Sequence, residues 1–406
     1  MIVSSYSIDR GRSYELDKTG AGTATVTLID VTGELDPTAG NYPFEPMTPA
    51  AIALRNPVTS TDHTIFRGFV SRLDYDLYQN EDYATVTVDM VDGMDMLSAI
   101  EMIPNVNMAF GTFGDIIVGP GIGEDVTFFE DDQVGHRIND VLDSAGWPVG
   151  LREVFSGNVK VQEQVYSRRS QALTVIEDAA DAEFPGVANF YFAKDGKATF
   201  HGRLARFHPQ DANYHISTWK CGDMAAVAAD STRAIIFELG FDRDKDKVIN
   251  SVLAVPKGAT EAQVTGQWVN NAASIADFGV RSISFEDLLT GEGYIGGTTA
   301  LQETHKFAEY YVDNMAQPKT RVNKITFKRV GPADTWGARE WALMCGVDIS
   351  DRIDLRTTHM GGGGFDEMFY VEGLHYSAKP LSDQFVDVEL TLDVSPASYY
   401  DFNPFE

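Results

Sequence analysis

Residues 10–37 read RGRSYELDKTGAGTATVTLIDVTGELDP and carry the clearest strand pattern in the chain. Between residues 23 and 28, threonine alternates with alanine, valine and leucine. This period of two predicts a strand with one polar face and one buried face. Gly20 and Gly22 precede a strand and not a helix, so no helix N-terminus is available there to hold a phosphate. We interpret them as the turn that starts this strand, and Gly33 as the next reversal.

The rest of the chain alternates between strand-rich and helical stretches. Helical periodicity is predicted at 136–148, 170–184 and 299–317, and a hairpin is predicted around Asp195 and Gly196. Strand patterns occupy 51–77, 82–93, 233–256, 321–330, 351–358, 367–378 and 385–394. The order predicts a mainly β protein with an α+β insert and a long helix.

A chain of 406 residues is too long for one ordinary core. We divide it into 1–100 (β-rich), 101–133 (a long loop rich in glycine and acids), 134–206 (small α/β), 207–320 (mixed) and 321–406 (β-rich).

The charge is strongly acidic, with 60 Asp and Glu against 32 Lys and Arg and a net charge of −28. Such a field repels nucleic acid and anionic membranes. Residues 73–132 contain no Lys or Arg, which indicates either a solvated acidic surface or an interface for a basic partner. The two cysteines are far apart, and neither a signal peptide nor an apolar run of membrane-spanning length is present. We therefore expect a product made in the cytoplasm, with reduced thiols and no membrane insertion.

Two patterns suggest metal sites but fit them poorly. Asp242, Asp244 and Asp246 match the start of a calcium loop, yet Lys247 and Leu253 occupy the positions that need glycine and glutamate. His201, His208 and His215 recur every seven residues, but Pro209 interrupts any helix through them. The glycines at 119–123 lack the lysine of a phosphate loop. The sequence therefore predicts no metal ligand and no cofactor.

Carboxylates and exposed aromatic residues leave two alternative functions open. Glu177, Asp178, Asp181 and Glu183 could supply the acid pair of a glycan hydrolase. On the predicted helix the first three lie on the solvent side, which favours a solvated face. Trp268 and Trp336 could be sugar platforms of a carbohydrate-binding adhesin. We expect no catalytic residue.

A basic strand, KTRVNKITFKR at 319–329, contrasts with the acidic chain. Lys324 and Lys328 share one face of this predicted strand, and Arg321 lies nearby. These cations could pair with an acidic segment of the same chain or of a neighbouring chain.

An ordered set of segments extends along most of the chain. It begins with residues 10–37 and continues with FRGFVSRLDYD (66–76) and VTVDMVDGMDMLS (86–98). It then includes RINDVLDSAGWP (137–148), ALTVIEDAADAEFPGVANFYFAKDGKATFHGR (172–203), VINSVLAV (248–255), SIADFGVRSISF (274–285) and FYVEGLHYSA (369–378). This set resembles the minor tail proteins that form the tail-tip or baseplate hub of long, non-contractile-tailed bacteriophages. The excursion at 105–132 has no counterpart in this resemblance.

The resemblance implies a structural virion protein at the phage tail tip. Such hubs are homotrimers in which each chain contributes two tail-tube-like β-barrels. Here these would be built around 1–100 and 321–406, with strands near 231–255 completing one of them. The trimer would join the sixfold distal tail ring protein to the threefold tip, beside the tape-measure protein and receptor-binding proteins. DNA would pass through its lumen without specific binding. The family shares no catalytic residues.

This expectation gives the residues near the glycine turn and on the basic strand a role in assembly. The candidates for contacts between copies are Arg10, Arg12, Glu15, Arg321, Lys324 and Lys328.

Overall fold

The computed structural model describes residues 2–401, with internal gaps. The residues left out are 16, 39–44, 78–82, 103–105, 108–110, 114–115, 119–124, 168, 244–246, 294–296, 320, 331–336, 359–363 and 383–384. The statements that follow concern the described residues.

The secondary structure is dominated by strands. The strands are β1 (Ile2–Gly11), β2 (Gly20–Asp30), β3 (Pro49–Asn56), β4 (Thr61–Leu77), β5 (Ala84–Val91), β6 (Val106–Asn107), β7 (Gly111–Phe113), β8 (Ile116–Val118), β9 (Asp125–Phe129), β10 (Asp132–Gln133), β11 (Arg152–Val154), β12 (Val159–Val161), β13 (Gln164–Tyr166), β14 (Asn189–Phe192), β15 (Ala198–His201), β16 (Thr218–Gly222), β17 (Ala234–Ile235), β18 (Glu238–Asp242), β19 (Ser251–Pro256), β20 (Val269–Asn270), β21 (Ser282–Leu288), β22 (Thr290–Gly293), β23 (Arg321–Val330), β24 (Arg352–Thr357), β25 (Phe365–Ser382) and β26 (Phe385–Pro396). The helices are α1 (Gly93–Ala99), α2 (Val134–Ser144), α3 (Ala172–Asp181), α4 (Met224–Ala229), α5 (Glu261–Gly266), α6 (Ala272–Phe278), α7 (Ala300–Met315) and α8 (Gly337–Gly346). The predicted mainly β class is confirmed.

One sheet contains strands from both ends of the chain. Its antiparallel path runs β3-β4-β5-β2-β1-β25-β26-β23-β18, and β24, β16 and β17 branch from β25. The branch arises because two strands share one edge of β25. Residues 365–370 of β25 pair with β24, whereas residues 373–378 pair with β1.

The described strands of this sheet do not close into a barrel. The N-terminal and C-terminal strands that we expected in two separate barrels are instead two halves of one open sheet, because β1 pairs with β2 on one edge and with β25 on the other. Of the strands expected near 231–255, β17 and β18 join this sheet. β19 pairs with β20 and β21 in a separate sheet.

The sheet separates a hydrophobic core from a polar surface. In β2, Ala24 and Leu28 are buried, and Thr23 is exposed on the opposite side, as the alternation predicts. The same core contains Phe327 of β23 and Leu390 of β26. Apolar side chains from both halves of the sheet therefore form one core.

The predicted helices and hairpin are present with small differences. α3 begins after Gln171 and not after Ser170, and its N-cap side chain makes no hydrogen bond to the helix. β14 and β15 form the hairpin around Gly196, whose φ of +85° suits a glycine. α7 begins with a capping box between Thr299 and Gln302. Within the described residues of the 105–132 excursion, β9 pairs with β13 of the α/β unit.

Candidate functional site: the polar face of the main sheet

The exposed face of the main sheet is a continuous polar surface. Cross-strand partners lie on the same face of a sheet. One row, Thr23, Asp9, His375 and Thr391, crosses β2, β1, β25 and β26. A second row crosses β5, β2, β1, β25, β26 and β23 through Asp89, Thr25, Ser7, Ser377, Glu389 and Lys328. We call this surface the polar sheet face and define it by these residues together with Thr27, Arg72, Asp74, Thr87, Glu238, Lys324, Lys379, Asp387 and Asp393.

Carboxylates outnumber cations on the polar sheet face. The Nζ of Lys328 lies 3.0 Å from an oxygen of Asp387 and 3.4 Å from an oxygen of Glu389. The hydrogen bond from Lys328 to Asp387 contributes most to raising the pKa of Lys328. The Nζ of Lys324 lies 2.9 Å from Glu238. Both lysines, for which the sequence left open pairing within the same chain or with a neighbouring chain, are partly exposed and form ion pairs within their own chain.

His375 lies between two carboxylates at the centre of this surface. Its Nε2 is 2.7 Å from an oxygen of Asp393, and its Nδ1 contacts Asp9. These hydrogen bonds, the stronger with Asp393, raise the pKa of His375 to about 9. The imidazolium is therefore charged at neutral pH, and it holds β1, β25 and β26 together.

The other predicted contact residues lie in the interior of the chain. Arg10 forms an ion pair with Asp348 at 2.9 Å and donates a hydrogen bond to the carbonyl oxygen of Phe192. Arg321 forms a buried pair with Glu15 at 2.8 Å. Burial raises the pKa of Glu15 to about 7 in spite of Arg321. Arg10, Glu15 and Arg321 are each at most about 5% exposed, so they stabilise the chain itself.

Arg12, the remaining candidate, is part of a buried cluster around Glu372 of β25. The Nε of Arg12 donates to Glu372 at 2.7 Å. Arg206 pairs with both carboxylate oxygens, and Ser395 donates to one of them. Burial alone would raise the pKa of Glu372, but Arg12 and Arg206 lower it to about 2. The cluster joins the N-terminal strand, the segment after the α/β hairpin and the C-terminal hairpin.

The carboxylates weighed for a hydrolase have structural partners. Lys18 lies between Glu177 and Asp181, at 3.5 Å and 3.4 Å. Asp178 accepts a hydrogen bond from the hydroxyl of Tyr166 at 3.2 Å. Glu183 is fully buried and accepts hydrogen bonds from the backbone N–H groups of residues 158, 159 and 203.

The histidines of the seven-residue repeat lie in different environments. His201 is buried, and burial lowers its pKa to about 3. His215 is exposed and its Nδ1 contacts Glu153 at 2.7 Å. In the part of the chain that the structure describes, no group of three or more His, Cys, Asp or Glu residues could hold a metal ion.

The remaining candidates of the sequence are only partly described. Asp242 pairs with Lys247, whereas Asp244, Asp246, Trp336 and the glycines at 119–123 lie outside the described residues. Trp268 is 40% exposed. Among the described helices, none is both long enough and apolar enough to cross a membrane.

Comparison with solved structures identifies the architecture. The structure is similar to the 43 kDa tail protein of prophage MuSo2 from Shewanella oneidensis, with a TM-score of 0.58 and 9% sequence identity over 99% of this chain and 95% of that one. It is also similar to the tail protein from Neisseria meningitidis MC58, with a TM-score of 0.53 and 12% identity over 98% of this chain and 94% of that one. The fold is that of solved tail proteins. No family model matches the sequence, and no curated protein matches it.

Sequence reasoning missed the partners of Arg12. Glu372 and Arg206 are 166 positions apart, and the sequence around each one does not indicate that the two side chains are in contact. The sequence does contain one signal of this cluster, because Glu372 lies inside the apolar strand pattern FYVEGLHYSA. A carboxylate on a buried face of a strand needs a cationic partner.

Proposed function

We propose that this chain is a structural protein of a phage tail and forms a homotrimeric hub at the tail tip. The observation that carries the proposal is the likeness to two tail proteins over nearly the full length of the chain. We place the hub in a long, non-contractile tail because of the sequence resemblance.

The continuous sheet supports a ring of copies. Its N-terminal half (within 1–100) and its C-terminal half (within 321–406, with β18) each present one apolar and one polar face. Three copies would supply six such halves, which matches a sixfold ring on one side and a threefold tip on the other. In this proposal each half acts as one tube-like domain, and contacts between copies join the six halves into a ring. The α/β unit at 134–206 and the helix α7 then lie outside the ring.

The polar sheet face is the surface that we assign to the channel for DNA. Hydroxyl groups of serine and threonine and an excess of carboxylates cover it, and the whole chain carries a net charge of −28. A negative wall repels phosphate groups, so DNA would pass without adhering. Lys324 and Lys328 remain the partly exposed candidates for contacts between copies.

The partners of such a hub are the distal tail ring protein, the tape-measure protein and receptor-binding proteins of the tip. We infer a role without catalysis, because the carboxylates weighed for a glycan hydrolase bind Lys18, Tyr166 and backbone amides. Among the described residues, the partial exposure of Trp268 is the observation that supports the adhesin alternative.

Labelling of purified virions tests this proposal. A peptide tag on the chain, detected with gold-conjugated antibody, should mark the end of the tail opposite the head. An untagged phage measures background labelling. A label along a side fibre, or no label on virions that carry intact tails, would overturn the assignment.

A further inference from the structure

An apolar cavity of about 790 Å³ opens beside the outer edge of β3. Residues 50–55 line it without interruption, as do residues 3–6. Successive side chains of a strand point to opposite faces, so an uninterrupted run means that the strand edge itself borders the cavity. Among the described strands β3 pairs only with β4, and its outer edge therefore offers unpaired N–H and C=O groups.

The lining of this cavity is apolar with a basic rim. Val88, Met90 and Trp341 contribute to its wall. Of the described residues that line it, the charged ones are Arg55 and Lys379, and both are cations. An occupant with apolar side chains, carboxylates and a free strand edge would complement this site.

The opposite end of the same nine-strand path has these properties. β18 pairs with β23 on one edge, and no other described strand pairs with it. Phe237, just before β18, is 64% exposed, and Phe241 within it is 41% exposed. Glu238 and Asp242 alternate with the apolar residues. Large aromatic side chains beside a free strand edge mark an interaction site, because such an edge otherwise promotes aggregation.

We propose that β18 of one copy pairs with β3 of a second copy. Phe237 and Phe241 cover the mouth of the cavity, and Glu238 and Asp242 face its basic rim. This inference rests on the proposed ring, because a contact between two different edges of one chain is head-to-tail and closes into a ring when the rotation permits.

The charges in this contact orient the copies more than they bind them. Glu238 already pairs with Lys324, Asp242 pairs with Lys247 at 2.6 Å, and Arg55 pairs with Asp62 at 3.5 Å. Exchanging one exposed pair for another contributes little net affinity but selects the register and the partner. The attraction between the copies comes from the burial of Phe237 and Phe241 against the cavity and from the hydrogen bonds between β18 and β3.

Cysteine cross-linking of the full chain tests the contact. The variant Arg55→Cys/Glu238→Cys is treated with a short bis-maleimide at high protein concentration, and cross-linked species are counted by mass. Cys221 and Cys345 are 0% and 1% exposed, so they should not react in the folded protein. The matched control Arg55→Cys/Glu286→Cys places the second thiol on an exposed residue of β21.

We expect at least a tenfold excess of cross-linked dimer and trimer over the control, joined between positions 55 and 238. Adding Phe237→Ser should remove most of this excess. Equal yields for the two pairs would overturn the proposed contact, and another tail protein would then be the candidate to cover the cavity. Gold labelling away from the tail tip would instead contradict the proposed hub. A cross-link between positions 55 and 238 of two copies would still support the proposed contact in that case.

Discussion

Replacing Glu372 by glutamine removes the charge that Arg12 and Arg206 share while keeping the size of the side chain. Glu372 is 0% exposed, and its pKa of about 2 compares with an ordinary value of 4.5. That difference corresponds to ~3 kcal/mol of stabilisation of the charged form. Removing one member of a buried ion pair typically costs about 3–5 kcal/mol, since the remaining charges lose their partner. We therefore expect Glu372→Gln to lower the free energy of unfolding by about 3 kcal/mol.

Urea denaturation at pH 7, followed by tryptophan fluorescence, measures this loss. The control Glu389→Gln removes the same charge from a side chain that is 39% exposed beside Lys328. Its expected cost is about 0–1 kcal/mol. A loss for Glu372→Gln no larger than that of the control would refute the reasoning.

The pH dependence of the same variant gives a second check. The folded-state pKa of Glu372 is lowered, so its stabilisation is complete above the unfolded pKa and disappears as pH falls towards the folded pKa. The difference between the wild type and Glu372→Gln should stay constant above about pH 5 and shrink between pH 4.5 and 2. A difference that does not change over this range would contradict the assigned ion pairs.

Three further predictions concern other parts of the sheet and core. The pKa of His375 is raised to about 9, so the stabilisation of the folded chain by its imidazolium is complete below pH 6.5 and is lost as pH rises through 9. Thermal unfolding from pH 6 to 10 should show this loss in the wild type and not in His375→Gln. Gly11→Ala should destabilise the chain by about 3 kcal/mol or more, because Gly11 has a φ of +92° and an added Cβ would lie 2.2 Å from a carbonyl oxygen of β25. Gly33→Ala, with positive φ but open space, should cost about 1–2 kcal/mol, and equal urea midpoints would contradict the proposed steric cause. Burial raises the pKa of Cys221 and of Cys345, so neither thiol should react with a thiol reagent until urea unfolds the chain.

The sequence predicted local features of the fold well. The alternation at residues 23–28 assigned the faces of β2, and the spacing of apolar residues at 299–317 located α7. Both features depend on neighbouring residues, so a short window of sequence contains the information. The turn at Gly196 was predictable for the same reason.

Pairing between distant strands could not be predicted. β1 pairs with β25 through Gly11 and Gly373, 362 positions apart, and two strands share one edge of β25. Periodicity assigns a strand its faces but not its neighbours. For this reason the sequence could not predict that the described strands of the two expected barrel regions share one sheet.

The candidate site was only partly predictable for the same physical reason. Alternation places Lys324 and Lys328 on one face but cannot show that Asp387 and Glu238 lie opposite them. Arg10, Arg12, Glu15 and Arg321 read as surface charges because their buried partners come from remote segments.

A reconstruction of the tail tip of a virion that contains this chain tests the central claim most directly. We predict three copies around the tail axis at the distal end, with the polar sheet face turned towards the channel and a negative inner surface. Copies attached at the periphery, or a ring whose inner surface is formed by another face of the sheet, would contradict the account.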